Sequence, residues 1–288
     1  RCEVSGLPLS LDYRIVDTPL GPSTALELED EDARELAGLG QLGLGLDALA
    51  AFEATLAQGR GMFVVAAPRG GGKTGAYYAI LDRAVRLGES VLSLERQVKR
   101  FVPGTTQLEL DPNTAPIDSL LKPVPDWLGV DGPQSSATAR LAADVVLAGR
   151  TVVLTVAAPD ACSALLRLEM AGLPPQLSQR HVRAVLARRV VARNCSSCRV
   201  AREPHASSLA RLGLPREILD ELAPQIGIGC PACAETGRMG TVALAELVRP
   251  GPDGALAPFP GATPLAERAR ELVRAGDIPL EAVSDCLQ

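Results

Sequence analysis

Short apolar runs alternate along the chain with stretches in which apolar side chains return every three or four positions. Residues 62–67 (Met-Phe-Val-Val-Ala-Ala) form an unbroken apolar run of strand length, the pattern of a strand covered on both faces. Residues 74–87 then read as a helix, and 91–94 as a strand. Residues 126–131 read as a further strand, followed by a helix from about 135 to 147. Residues 151–157 are the clearest β-branched strand, followed by a helix over about 159–171. Helices are also predicted over about 46–58, 177–193, 216–223 and 264–275. The first 28 residues alternate loosely (Val4, Leu7, Leu9, Leu11, Tyr13, Ile15) and read as strand-rich, and an acidic stretch follows at 27–32. Strands alternating with helices predict an α/β fold whose mostly parallel sheet carries helices on both faces.

Composition narrows the class. The chain has 288 residues, 47% hydrophobic and 22% charged, which excludes a disordered chain. Aromatic residues make up 3%, so Leu, Val and Ala must fill the core. The net charge of −5 argues against a nucleic-acid clamp, because phosphate binding needs a basic surface. Lys73, Lys99 and Lys122 are the only lysines among 29 basic residues. The first residue is Arg1 rather than Met, so the expectation is a piece of a longer protein. No apolar run approaches the roughly 20 residues of a membrane span, and no secretory leader is visible.

The apolar run at 62–67 leads into Pro68-Arg69-Gly70-Gly71-Gly72-Lys73-Thr74, at a predicted strand–loop–helix junction. Glycines let successive backbone N–H groups turn toward one anion, and the helix start adds its positive end. Lys73 supplies charge for the outer phosphates, and the Thr74 hydroxyl is a ligand for Mg²⁺. Ala67 stands where the usual pattern has its first glycine. The alternative is a glycine-rich turn with an exposed lysine.

Of seven cysteines, Cys2, Cys162 and Cys286 are scattered, and four form two Cys-x-x-Cys pairs, Cys195/Cys198 and Cys230/Cys233, with 31 residues between the pairs. Each pair points two thiolates of one tight turn at a common ion, and two pairs complete the tetrahedral sulfur shell that Zn²⁺ accepts. A closed shell of this kind is structural, and the pattern fits a cytosolic metal site better than a disulfide framework. Unmetallated cysteines and a redox pair are the alternatives. Residues 194–240, rich in Cys, Gly and Pro, read as a small inserted module.

These motifs, in order, resemble the assembly ATPases of type II secretion and type IV pili. Residues 67–74 resemble that family's phosphate loop. Pro125-Asp126 with the strand after it resembles its Walker B region. Ala148-Gly149-Arg150 before the strand at 151 is similar to its Thr-Gly-His segment. Asp160-Ala161 and the stretch from Ala164 to Pro174 resemble its Arg-Leu-x-x-Met-Gly-x-x-Pro helix. Residues 185–191 ahead of Cys195, and Gly229-Cys230-x-x-Cys233-x-x-Thr236-Gly237, resemble the segments around its two cysteine pairs. Val4-Ser5-x-x-Pro8 is similar to the tail of the domain before the motor. The resemblance implies a RecA-like α/β ATPase core over 29–288, a tetracysteine zinc insertion at 194–240, and the remnant of a preceding α/β domain at 1–28. It implies ATP, Mg²⁺ and Zn²⁺ as cofactors and a cytoplasmic hexamer peripheral to the inner membrane, homomeric or mixed with active paralogues, acting on a platform protein.

The catalytic positions depart from that family. Its Walker B region ends in Gly-Glu, where this chain has Asp131-Gly132. Asp131 is placed to hold Mg²⁺ through water, but no carboxylate follows it to orient the attacking water. The acidic box Glu-Asp-Pro-Val-Glu is Glu95-Arg96-Gln97-Val98-Lys99, which leaves Glu95 as the candidate catalytic acid or base. The family histidine falls on Ala157, and His181 and His205 lie elsewhere. Glu3 and Asp17 stand near the positions of two family arginines, with Arg14 as a substitute. The expectation is therefore ATP binding with weak hydrolysis, unless Asp126, Asp131 or Glu95 is recruited in place of the lost glutamate. A scaffold without turnover and, less favoured by the charge, a zinc-containing nucleic-acid-binding protein are the competing functions.

Overall fold

The computed structural model describes residues 2–4, 7–19, 21–30, 38–109, 124–132, 136–203, 217–251 and 254–283. These fall into two compact units, Arg1–Ala37 and Gly38–Gln288. The first is an antiparallel sheet of β1 (Cys2–Val4), β2 (Leu7–Thr18) and β3 (Gly21–Asp30), in that order. β2 and β3 form a hairpin that closes at the Thr18–Gly21 pair.

The second unit holds β4 (Gly61–Ala67), β5 (Val91–Glu95), β6 (Thr105–Glu109), β7 (Trp127–Val130), β8 (Thr151–Ala157), β9 (Val182–Asn194), β10 (Arg199–Ala201), β11 (Gln225–Gly227), β12 (Arg238–Pro250) and β13 (Leu256–Pro258). Its helices are α1 (Leu46–Gln58), α2 (Lys73–Arg86), α3 (Ser136–Leu147), α4 (Ala161–Met170), α5 (Pro175–His181), α6 (Ile218–Leu222) and α7 (Leu265–Arg274). One eight-stranded sheet runs in the order β13-β12-β9-β4-β8-β7-β5-β6. It is parallel from β9 to β6, and β12 is antiparallel to both β9 and β13. The mixed α/β fold with a parallel-rich sheet matches the sequence expectation.

Alternation along the strands sends side chains to two layers. Met62, Val64 and Ala66 of β4 and Leu128 and Val130 of β7 share one core with Leu141 and Val145 of α3 and Leu168 of α4. Phe63 faces the other layer, where it stacks on Trp127 at 5.8 Å and meets Phe52 of α1 edge-on at 6.2 Å. Each such side chain contributes roughly 1.5–3 kcal/mol by leaving water. Gly129 of β7 lies against Tyr77 of α2, and a Cβ there would overlap the Tyr77 hydroxyl.

The stretch 177–193, which its apolar spacing predicts as helix, is corrected by the structure. Helix ends with His181, and β9 runs from Val182 to Asn194. The cause is burial on both faces: β9 lies between β4 and β12, and residues 184–189 are all buried. A doubly covered strand needs apolar residues at consecutive positions, and its Val182, Val185, Val190 and Val191 favour extended backbone. Residues 241–263, given no element by the pattern, contain most of β12 and all of β13. Among the described residues no helix is long and apolar enough to cross a membrane.

Candidate functional site

Parallel strands deliver their C-terminal ends to one edge of the sheet, and that edge collects the chemistry. The backbone leaves β4 at Ala67, turns through Pro68–Gly72 and enters α2 at Lys73. Gly70 and Gly72 take φ of 73° and 81°, a region costly for side chains with a Cβ. The Gly71 N–H donates to the Pro68 carbonyl at 3.0 Å, which closes the turn. Gly72 caps α2 without any side-chain cap, and the first turn has no acidic residue. The amides of that turn are therefore open to an anion. Thr74 follows Lys73 on the same turn, half-buried.

Two strands complete the site. Asp131 directly follows β7, and Thr155 lies on β8 between β4 and β7. The Lys73 ammonium reaches Asp131 Oδ1 at 3.1 Å and Thr155 Oγ1 at 3.3 Å, and the Thr155 hydroxyl donates to the same Asp131 oxygen at 2.5 Å. Lys73 and Asp131 are partly exposed, with 24% and 21% of their side chains accessible, while Thr155 is buried beneath them. Sequence reasoning found Lys73 and Asp131 but not Thr155. Its signal is the last polar position on a β-branched strand beside the loop.

Glu95 ends β5, beside Asp131, whose N–H donates to the Leu94 carbonyl at 2.9 Å. It is 2% exposed. Its carboxylate accepts from Ser93 Oγ at 2.6 Å, from Gln107 Nε2 at 2.9 Å and from the Tyr78 hydroxyl. Burial first, then the bond to Glu95, pushes the Tyr78 phenol well above its ordinary pKa. Glu95 therefore sits in a closed polar network. Asp126 lies at the opposite end of β7, where Ser90 and Arg150 hold it. The Ser90 hydroxyl and N–H, with Arg150 a lesser contributor, keep its carboxyl below the usual range. His181 precedes β9 at that same far edge, beside Gly61. Ala157 is paired with Ala67 next to the loop and brings no imidazole there. His205 and Cys286 lie outside the described residues, and so do the side chains of Cys2, Glu3, Arg14 and Asp17.

The two cysteine pairs converge. Sγ atoms of Cys195, Cys198, Cys230 and Cys233 all lie within 4.8 Å of one another. Cys195–Cys230 and Cys198–Cys233 are both 3.9 Å apart, and Cys230–Cys233 are 3.7 Å apart. A tetrahedron with metal–sulfur bonds of about 2.3 Å has edges of about 3.8 Å, so this sulfur cage fits Zn²⁺. Burial pushes the Cys233 thiol up, but the N–H groups of Cys230 and Gly237, then the Cys230 and Cys198 thiols, outweigh it and bring it to about 6. After Cys233 the chain passes through Ala234 and Glu235 at φ of 51° and 62°. Two non-glycine residues in that region cost on the order of 1–3 kcal/mol each, and the knuckle must hold them.

The profile of the family described as Type II/IV secretion system protein matches residues 4–257. The type IV pilus assembly ATPase PilB of Thermus thermophilus is 28% identical over 253 residues, covering 86% of this chain and 28% of that protein. The type II secretion system protein HxcR of Pseudomonas aeruginosa is 29% identical over 249 residues, covering 85% and 49%. The chain thus spans about half or less of the length of these relatives. Among solved structures, the ATPase DotB of Legionella pneumophila superposes with a TM-score of 0.62 at 12% identity, covering 96% of this chain and 72% of that one. The pilus retraction motor PilT, crystallised with bound ADP, gives a TM-score of 0.62 at 15% identity, covering 99% and 76%. At these identities the likeness is one of fold.

Proposed function

The chain belongs to the Type II/IV secretion system protein family, and from that membership we propose that it carries the RecA-like nucleotide-binding core of a secretion or pilus assembly motor. The single observation that carries this reading is the triad of Lys73, Thr155 and Asp131 at the mouth of the glycine loop. The backbone of Pro68, Arg69, Gly70, Gly71 and Gly72 wraps the phosphates of ATP, and Lys73 neutralises the outer ones. The Thr74 hydroxyl and the Asp131 carboxylate are hard oxygen donors suited to Mg²⁺. Bound Mg²⁺·ATP supplies the phosphoryl group and the charge that polarises it.

Hydrolysis is slow in this reading. The residue after Asp131 is Gly132, at φ of 73°, which offers no group to position water. Loss of that group alone costs orders of magnitude, because positioning and electrostatics carry phosphoryl transfer. Glu95, at the end of β5 on this edge, has its oxygens engaged by Tyr78, Ser93 and Gln107. Gly132 specifically favours a second reading, a scaffold that binds ATP without turning it over. In either case the subunit acts in a hexamer, homomeric or mixed with active paralogues, on the cytoplasmic face of the inner membrane against a platform protein. The four cysteines hold one structural Zn²⁺, whose closed sulfur shell leaves no position for substrate.

Phosphate release from Mg²⁺·ATP, with Lys73→Ala as the control, tests the catalytic part. The expected rate lies well below one per second and falls to background in the variant. Lys73-dependent turnover near about one per second, an ordinary enzyme rate, overturns slow hydrolysis.

A further inference from the structure

Arg188 lies in mid-β9 beneath the phosphate loop and is 7% exposed. Its Nη1 donates to the Gly72 carbonyl at 2.7 Å, and its Nη2 donates to the Gln41 carbonyl at 3.1 Å. Its Nε has no hydrogen-bond partner among the described residues. Among the described residues its acceptors are these two carbonyls, and no carboxylate pairs with it. The contact with the loop is tight: a Cβ on Gly72 would come within 2.7 Å of Nη1.

That arrangement is expensive in the protein alone. A buried guanidinium is ordinarily matched by a carboxylate, and carbonyl dipoles offset its desolvation only in part. It also has a directional consequence. In a trans peptide the carbonyl and the following N–H point opposite ways. The Gly72 carbonyl is held on one side by Arg188 and by the Ala76 N–H at 3.2 Å. The Lys73 N–H of the same peptide is thereby aimed out of the helix start, into the hollow of the loop. A cation on that carbonyl also polarises the peptide and makes its N–H a stronger donor.

We propose that Arg188 is a positioning residue of the phosphate loop, and that its buried charge lacks a carboxylate because a polyphosphate bound in the loop completes it. The inference rests on the nucleotide reading above and adds to it a determinant on a strand remote from the loop in sequence. Gln41, the second carbonyl, closes the short turn Leu39–Gln41, so one side chain ties that turn to the loop.

The test uses the full chain as wild type, Arg188→Gln, Arg188→Lys and Lys73→Ala. Thermal unfolding is followed with and without Mg²⁺·ATP, Mg²⁺·ADP and pyrophosphate, and affinity is measured with a fluorescent ATP analogue. Arg188→Gln is expected to unfold, without ligand, at or above the wild-type temperature, since an unpaired buried charge has gone. Its affinity for the analogue is expected to fall about tenfold or more, and its ligand-induced stabilisation to shrink with it. A purely structural role predicts the reverse, a lower melting temperature at unchanged affinity, and that result overturns the proposal. If Arg188→Gln does not fold, Arg188→Lys decides. It keeps the charge but loses the fork, and wild-type affinity in that variant overturns the proposal. Wild type without Lys73-dependent binding overturns the nucleotide reading and this inference together. Wild type that binds, with Arg188→Gln binding equally well, overturns this inference alone.

Discussion

Lys73 and Asp131 are 58 positions apart in sequence and 3.1 Å apart in space. Each was legible for a local reason: Lys73 stands in a glycine run, and Asp131 ends an apolar strand. Thr155 and Arg188 were not legible, because their roles arise from what neighbouring strands bring to them. Thr155 matters through the register of β8 beside β4, and Arg188 through the Gly72 carbonyl above it. Glu95 shows the opposite case. Sequence singles it out as the remaining acid, and the fold surrounds it with Tyr78, Ser93 and Gln107. An amide there would bring N–H groups against donors now satisfied by a carboxylate. Glu95→Gln is therefore expected to destabilise the chain by about 1–3 kcal/mol in denaturant titration. Binding of an ATP analogue should be unchanged. A variant of wild-type stability with weaker nucleotide binding would assign Glu95 to the site instead.

At the scale of elements, strands and helices with one-sided patterns were legible. α2 begins at Lys73 where the pattern predicts a start at 74, and α7 shows its apolar stripe at Leu265, Ala269, Leu272 and Val273. β9 was not, since a strand covered on both faces and a buried helix write the same apolar run. The cysteine module was legible as spacing but not as an attachment. Asn194 donates from its amide to the Gln225 and Gly276 carbonyls, both at 3.0 Å, and Arg193 and Arg199 pair with Asp277. Through these contacts β9 and β10 are tied to the chain just after α7. Loss of metal should therefore loosen α7 as well as the knuckles. Removal of zinc by a strong chelator, or Cys198→Ser, is expected to release about one Zn²⁺ per chain and to lower the melting temperature. Hydrogen exchange should rise over both 195–237 and 265–277. A chain that contains no zinc when purified without chelator contradicts the metal assignment.

Across the whole second unit, the strand order explains why one edge carries the chemistry. From β4 through β8 and β7 to β5, adjacent strands deliver the glycine loop, Thr155, Asp131 and Glu95. The helix of the loop packs against β4 and β8 of this same sheet, so the loop, the lysine and the strand-end acid meet at one edge. The parallel core was readable from the alternation of strands and helices. The antiparallel margin was not, because the pairing of β12 with β9 joins residues far apart in sequence, and β13 is added only by a local hairpin with β12. The central claim is that this edge binds Mg²⁺·ATP through Lys73 and the glycine loop. Its most direct test is equilibrium titration of the full chain with a non-hydrolysable ATP analogue and Mg²⁺, set against Lys73→Ala. Saturable binding at about one site per chain, lost by at least about tenfold in the variant, is the predicted result. Equal affinity in the two proteins, or no binding in either, would contradict it.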